Sequence, residues 1–133
     1  MARRRPVFTC GHTGPAVVNM SLGRTGTLDD SPPYRAAIKK LVDMGITVVV
    51  SAGNDPKKEV SGMVPATYPE VIAVASTTAR VGTSDIKTSI GRDTASYFTT
   101  DGAFNTSTGI GVTISAPGEQ QENISRNYIT GTG

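Results

Sequence analysis

Tryptophan is absent from this 133-residue chain, and phenylalanine and tyrosine bring the aromatic share to only 5%. Any core must therefore be assembled from Val, Ile, Leu, Ala and Met, and a hydrophobic content of 37% permits one. A chain of this length buries roughly two-thirds of its unfolded surface, enough for one modest domain. Cysteine occurs once, as Cys10, so an internal disulfide is excluded. Histidine also occurs once, as His12, and the two together do not make a metal site. The formal charge of +2 is too small to argue for a nucleic-acid partner. No apolar run approaches the length of a membrane span, and none behind Arg3-Arg4-Arg5 reads as a signal peptide; the compartment stays open. Neither G-x-G-x-x-G nor G-x-x-x-x-G-K-[ST] occurs, which weakens a nucleotide-binding reading. There is no internal repeat or low-complexity tract. The triplets beginning at Asn19, Asn105 and Asn123 fit the glycosylation pattern, but chance accounts for them in a chain this rich in Asn, Ser and Thr.

What is present has a clear order. Residues 1–15 carry Arg, Pro, Gly and His without a period and read as an irregular segment ahead of a domain over 16–133. A-V-V-N-M-S-L, 16–22, is a strand candidate, followed by a polar loop over 23–30. Ser31 before Pro32 and Pro33 marks a helix start: a hydroxyl cap, then proline where the missing N–H costs nothing. Ala37, Ile38, Leu41, Val42 and Met44 then fall at helical spacing, with Arg35, Lys39, Lys40 and Asp43 opposite. Gly45 sits where the chain must turn out of the helix. I-T-V-V-V-S-A, 46–52, is apolar on both alternations, as a strand covered on both faces should be. Strand, helix and strand within about forty residues make a βαβ unit with parallel strands and a right-handed crossover. V-I-A-V-A-S (71–76), A-S-Y-F-T-T (95–100) and G-V-T-I-S-A-P-G (111–118) are three further strand candidates. The fold class expected is α/β: three layers, with a mostly parallel sheet between helices.

Open parallel sheets bind ligands beyond the carboxyl ends of their strands. Two such ends are Ser21-Leu22-Gly23 and Ala52-Gly53-Asn54, both small enough to let a ligand approach the backbone. Asn54 carries an amide with two donor hydrogens. At a strand end it can aim a donor at an oxygen gaining negative charge, as an oxyanion hole requires. The plain alternative is a turn, which Gly-Asn-Asp-Pro sequences form constantly. Asp29 and Asp30 are paired carboxylates, but ahead of a helix they suit its positive end rather than acid–base work.

V-V-N-M-S-L-G (17–23), the helix Y-R-A-A-I-K-K-L-V-D-M-G-I, V-V-V-S-A-G-N-D (48–55), P-A-T-Y-P-E-V-I-A-V-A-S (65–76), A-S-Y-F-T-T-D-G (95–102), I-S-A-P-G-E (114–119) and Y-I-T-G-T-G (128–133) stand in an order that resembles the subtilisin-like serine proteases, or subtilases, across residues 16–133. The resemblance implies an incomplete copy of the central-to-late part of a catalytic domain. It implies that Ser21, Leu22 and Gly23 pair through their backbone with an extended peptide substrate, which is recognition by strand addition. It implies that Ala52 and Gly53 wall the pocket for the residue before the cleaved bond. Asn54 matches the oxyanion-hole asparagine, and Pro65 a proline that is commonly cis. The partner implied is a peptide or protein, not nucleic acid or membrane. Calcium is a possible ligand of the full-length family, but no Asp/Glu cluster here has defensible ligand spacing.

The Asp-His-Ser engine of that family is not apparent. His12, in C-G-H-T-G, departs from the family's His-Gly-Thr-His order and lies immediately before the first substrate strand, so it reads as a loop histidine. The family's Gly-Thr-Ser appears as Gly131-Thr132-Gly133. Either the nucleophile is replaced, or the motif continues past Gly133. Without a hydroxyl nucleophile and its base, acyl transfer is lost, and peptide binding with one oxyanion donor remains. Three readings are therefore open: a partial subtilisin-like endopeptidase domain that is inactive alone, a non-enzymatic peptide-binding module derived from one, and a small α/β domain that shares only the fold.

Overall fold

The computed structural model describes residues 14–78 and 93–119. Cys10, His12, Asn123 and Gly131–Gly133 lie outside the described residues.

Four strands form one parallel sheet: β1 (Val17–Met20), β3 (Thr47–Ser51), β5 (Ile72–Thr78) and β6 (Ile114–Glu119), in the order β1-β3-β5-β6. A two-stranded antiparallel ribbon pairs β2 (Arg24–Thr25) with β4 (Met63–Val64). The one α-helix among the described residues, α1 (Pro32–Asp43), crosses from β1 to β3 and lies against one sheet face. This is the βαβ unit the sequence pattern predicts, and the sheet is the parallel α/β sheet expected.

Alternation along the strands explains the layering. Val48 and Val50 of β3 and Ala73 and Ala75 of β5 point toward α1 and are buried with Ile38; Val18, Met20, Leu41 and Val42 pack against them. Valine and isoleucine suit a pleated surface. The other face carries Val17, Asn19, Val49, Ser51, Val74 and Ser76 at the alternate positions. No helix covers it among the described residues, and Val17 and Ile114 are exposed. Of the two helical layers expected, the described residues supply one.

The start of α1 corrects one expectation. Ser31 occupies the N-cap, but its hydroxyl makes no capping bond. Pro33 has no N–H to offer, and the amides of Tyr34 and Arg35 are taken by the Ser31 carbonyl at 3.0 and 3.1 Å. Gly45 closes the helix as expected, with φ +80 and its amide on the Val42 carbonyl at 2.9 Å.

The segment 95–100 corrects another. It is not a strand; only Ala95 makes an isolated bridge, to Thr77. Hydroxyls hold it instead. The Ser76 amide donates to Thr99 Oγ1 at 3.0 Å, Ser76 and Ser96 share a hydroxyl bond of 2.7 Å, and Thr99 N donates to the Ser96 carbonyl at 3.1 Å. Apolar and β-branched residues resemble a strand in sequence, but here the side chains bond locally and the backbone coils over the end of β5.

Candidate functional site

The register of β1 on β3 fixes the site. Met20 lies opposite Val50, so both strands run out at the same rim of the sheet. Ser21-Leu22-Gly23 leaves from one strand, and Ala52-Gly53-Asn54 leaves from its neighbour one residue after the end of β3.

Ser21, Leu22 and Gly23 are all exposed, and Leu22 shows 54% of its surface. Beyond β1 there is no further strand of the sheet among the described residues, so this backbone lies along an open edge. An open edge is what strand addition needs. Gly23 then leads directly into β2, which is anchored to β4.

The second strand end divides its residues. Ala52 is 1% exposed and belongs to the core, its amide donating to the Val74 carbonyl at 2.9 Å. Gly53 is half-buried and Asn54 is exposed. The Asn54 side chain has no hydrogen-bond partner among the described residues, so both amide hydrogens are available to a ligand.

Gly53 is small for a reason that lies inside the protein. Its φ is +122, and a Cβ there would stand 2.6 Å from Thr100 Oγ1 and 3.0 Å from Met63 Cε. Side chains rarely adopt that backbone, and there is no room for one. Thr100 is fully buried and grips this loop: its amide donates to the Gly53 carbonyl at 3.0 Å, its hydroxyl accepts the Asp55 amide at 3.0 Å and donates to the Asp55 carbonyl at 3.1 Å.

The outer side of the loop is tied as well. The Asp55 carboxylate accepts the Lys57 amide at 3.1 Å and pairs with Lys58 Nζ at 3.1 Å. Lys58 also donates to Thr25 Oγ1 at 2.7 Å, bridging the loop to β2 just past Gly23. The Lys57 amide, then the Lys58 ammonium, hold the Asp55 carboxyl below its ordinary value. Asp30 is also held low, first by the Thr27 hydroxyl and amide and then by Arg24. It staples its own loop to β2 through Arg24 Nη1 at 3.2 Å.

Thr100 and Lys58 were not visible as site residues in the sequence. Thr100 reaches the loop from 45 residues away, and Lys58, three residues from Asp55 within the loop, ties it to Thr25 33 residues away; neither long-range bond has a local signature. The Val64–Pro65 peptide bond is cis, as the resemblance implies. A shallow groove of about 260 Å³ runs along the open sheet face and meets the expected site only at Ser21. No group of three or more His, Cys, Asp or Glu side chains gathers among the described residues.

The model of the subtilase family matches residues 3–133. An extracellular protease of Xanthomonas campestris pv. campestris is 52% identical over 62 residues, which cover 47% of this chain and 10% of that protein. Among solved structures, a cold-adapted subtilisin-like serine proteinase superimposes with a TM-score of 0.59 at 26% identity, covering 83% of this chain and 32% of that one. A protease of Pseudoalteromonas arctica gives a TM-score of 0.54 at 29% identity over 80% of this chain and 25% of that one. The chain thus spans a third or less of the length of these relatives.

Proposed function

We infer from its membership of the subtilase family, to which this chain belongs, that it carries the peptide-binding rim of a serine-type endopeptidase. In this reading Ser21, Leu22 and Gly23 take an extended peptide or protein substrate as an added strand. Gly53, backed by buried Ala52, borders the pocket for the residue before the cleaved bond. Asn54 donates its amide to the oxyanion that forms when the scissile carbonyl becomes tetrahedral. The observation that carries the reading is the convergence of two strand ends at one rim with the Asn54 amide exposed and unspent.

The described residues bind and polarise; they do not attack. A donor held at the site of developing charge stabilises the transition state more than the ground state. Attack still needs a nucleophile with an adjacent base, and the 133-residue chain offers His12 as its sole histidine and Gly133 after Gly131-Thr132. On its own, the chain binds peptide without hydrolysing it. The exposed edge at Ser21–Gly23 equally supports the second reading, a peptide-binding module that does not turn over substrate.

Titrating the isotopically labelled chain with an unstructured hexapeptide tests this. Amide shifts should cluster at Ser21–Gly23 and Gly53–Asn54, and a fluorophosphonate probe should leave the chain unlabelled. Shifts confined to the groove on the open sheet face, or to α1, would overturn the site. Covalent labelling would overturn the statement that the chain alone lacks the nucleophile.

A further inference from the structure

We propose that Thr100 is the positioning residue for Asn54. The proposal rests on the reading of Asn54 as an oxyanion donor and adds a residue to it. An oxyanion donor is useful only if it is held where the charge will develop, because a donor that must reorganise returns its advantage as reorganisation energy. Asn54 is exposed and its side chain touches no polar partner among the described residues, so nothing holds it directly. What can hold it is the backbone on either side. Thr100 binds both flanking residues: the Gly53 carbonyl through its amide, and the Asp55 amide and carbonyl through its hydroxyl. The peptide units entering and leaving Asn54 are thereby clamped by one buried residue.

Thr100 is itself fixed. It is completely buried, and its carbonyl accepts the Thr99 hydroxyl at 3.2 Å. Thr99 is bonded to the amide of Ser76 in β5, and the Asp101 carbonyl accepts the Val60 amide at 2.7 Å. The clamp therefore refers the position of Asn54 to the central sheet. The close approach of Thr100 to Gly53 also accounts for the glycine, since any Cβ would strike the hydroxyl. A hydroxyl that accepts and donates at once is required; an aliphatic side chain of the same shape keeps the packing but loses both bonds to Asp55.

The test uses the full 133-residue chain and needs no catalysis, so its outcome is independent of whether Asn54 serves a reaction. In the unmodified chain, a coupling across the hydrogen bond from Thr100 N to the Gly53 carbonyl carbon is expected, together with a rigid Asn54 backbone. Thr100→Val should raise amide exchange at Asp55 about tenfold or more, as expected for losing a net hydrogen bond, and lower the order of Asn54, while α1 and β3 keep their protection. Thr100→Ser, which keeps the hydroxyl, should restore both. An unchanged Asn54 in Thr100→Val, loosening that spreads evenly through the chain, or failure of Thr100→Ser to restore order would each overturn the proposal. If Thr100→Val does not fold, the absence of the coupling in the unmodified chain, or a mobile Asn54 in Thr100→Ser, overturns it just as well. Failure of the oxyanion reading would appear elsewhere, as Asn54 side-chain amide signals that do not move when the hexapeptide is titrated in.

Discussion

Thr100 and Asp55 are 45 residues apart in sequence, yet one hydroxyl of the first accepts the amide of the second at 3.0 Å and donates to its carbonyl at 3.1 Å. The bonds close the loop that presents Asn54, and they convert a sequence that reads as an ordinary turn into a fixed rim. The small residue beside it follows from the same contact. Gly53 lies against Thr100 and Met63, so its size is set from within the protein as well as by what approaches from outside.

Gly53→Ala should be strongly destabilising. The added methyl would stand 2.6 Å from Thr100 Oγ1 on a backbone with φ +122. Left-handed backbone costs a non-glycine residue about 1–2 kcal/mol, and overpacking adds about 1–3 kcal/mol. Urea unfolding should show a loss of about 2–5 kcal/mol on these combined grounds. A change of less than about half a kcal/mol, the scatter of neutral surface substitutions, would mean that the loop relaxes away from Thr100.

Tyr68→Phe should leave stability unchanged or raise it. Tyr68 is 1% exposed, and its hydroxyl is buried with no hydrogen-bond partner among the described residues. Burial also pushes its pKa up, as desolvation of the phenolate requires. Removing an unpaired buried hydroxyl recovers up to about 1–3 kcal/mol of desolvation. The ring's edge-to-face contact with Tyr34, centroids 6.0 Å apart, is retained in phenylalanine. A clear loss in thermal midpoint would show that the hydroxyl has a partner after all, such as an ordered water.

Asp55→Asn should flatten the acid limb of stability. The folded carboxyl titrates below its ordinary 3.8, chiefly because it accepts the Lys57 amide and then because it faces Lys58. A group with a depressed folded pKa contributes fully above its unfolded value and loses that contribution as pH falls through the folded one. The unmodified chain should therefore lose stability from about pH 4 downward at this site. The variant should be less stable than the parent at pH 7 and approach it at the acid end. Parallel curves for the two proteins across that range would remove Asp55 from the account.

Much of the fold is legible in the order of residues because it depends on local periodicity. Ile38, Leu41 and Val42 recur at helical spacing, so α1 has one apolar side wherever it packs. The valines of β3 and the small apolar run of β5 lack polar alternation, which is the mark of strands that neighbours enclose. Gly45 needed no tertiary context, since leaving a helix through a positive φ favours glycine anywhere. The pairing of Leu22's strand end with Asn54's also follows from the parallel βαβ rule, which places consecutive carboxyl ends on one rim.

Three features were decided only when the chain closed on itself. Residues 95–100 carry strand-like residue types, yet the hydroxyls of Ser96, Thr99 and Thr100 bond to β5 and to the Asn54 loop, and coil displaced strand. Ser31 had the chemistry of a cap, but the two prolines after it remove donors from the first turn, and the Ser31 carbonyl takes the amides of Tyr34 and Arg35. Alanine at 52 was small in sequence, but whether it faced a ligand or the core depended on the neighbouring strand, whose Val74 carbonyl holds its amide while the side chain is buried. Periodicity acts over a few residues and survives in the sequence. Which hydroxyl meets which carbonyl across forty residues is a matter of distance in space, and only the folded chain sets it.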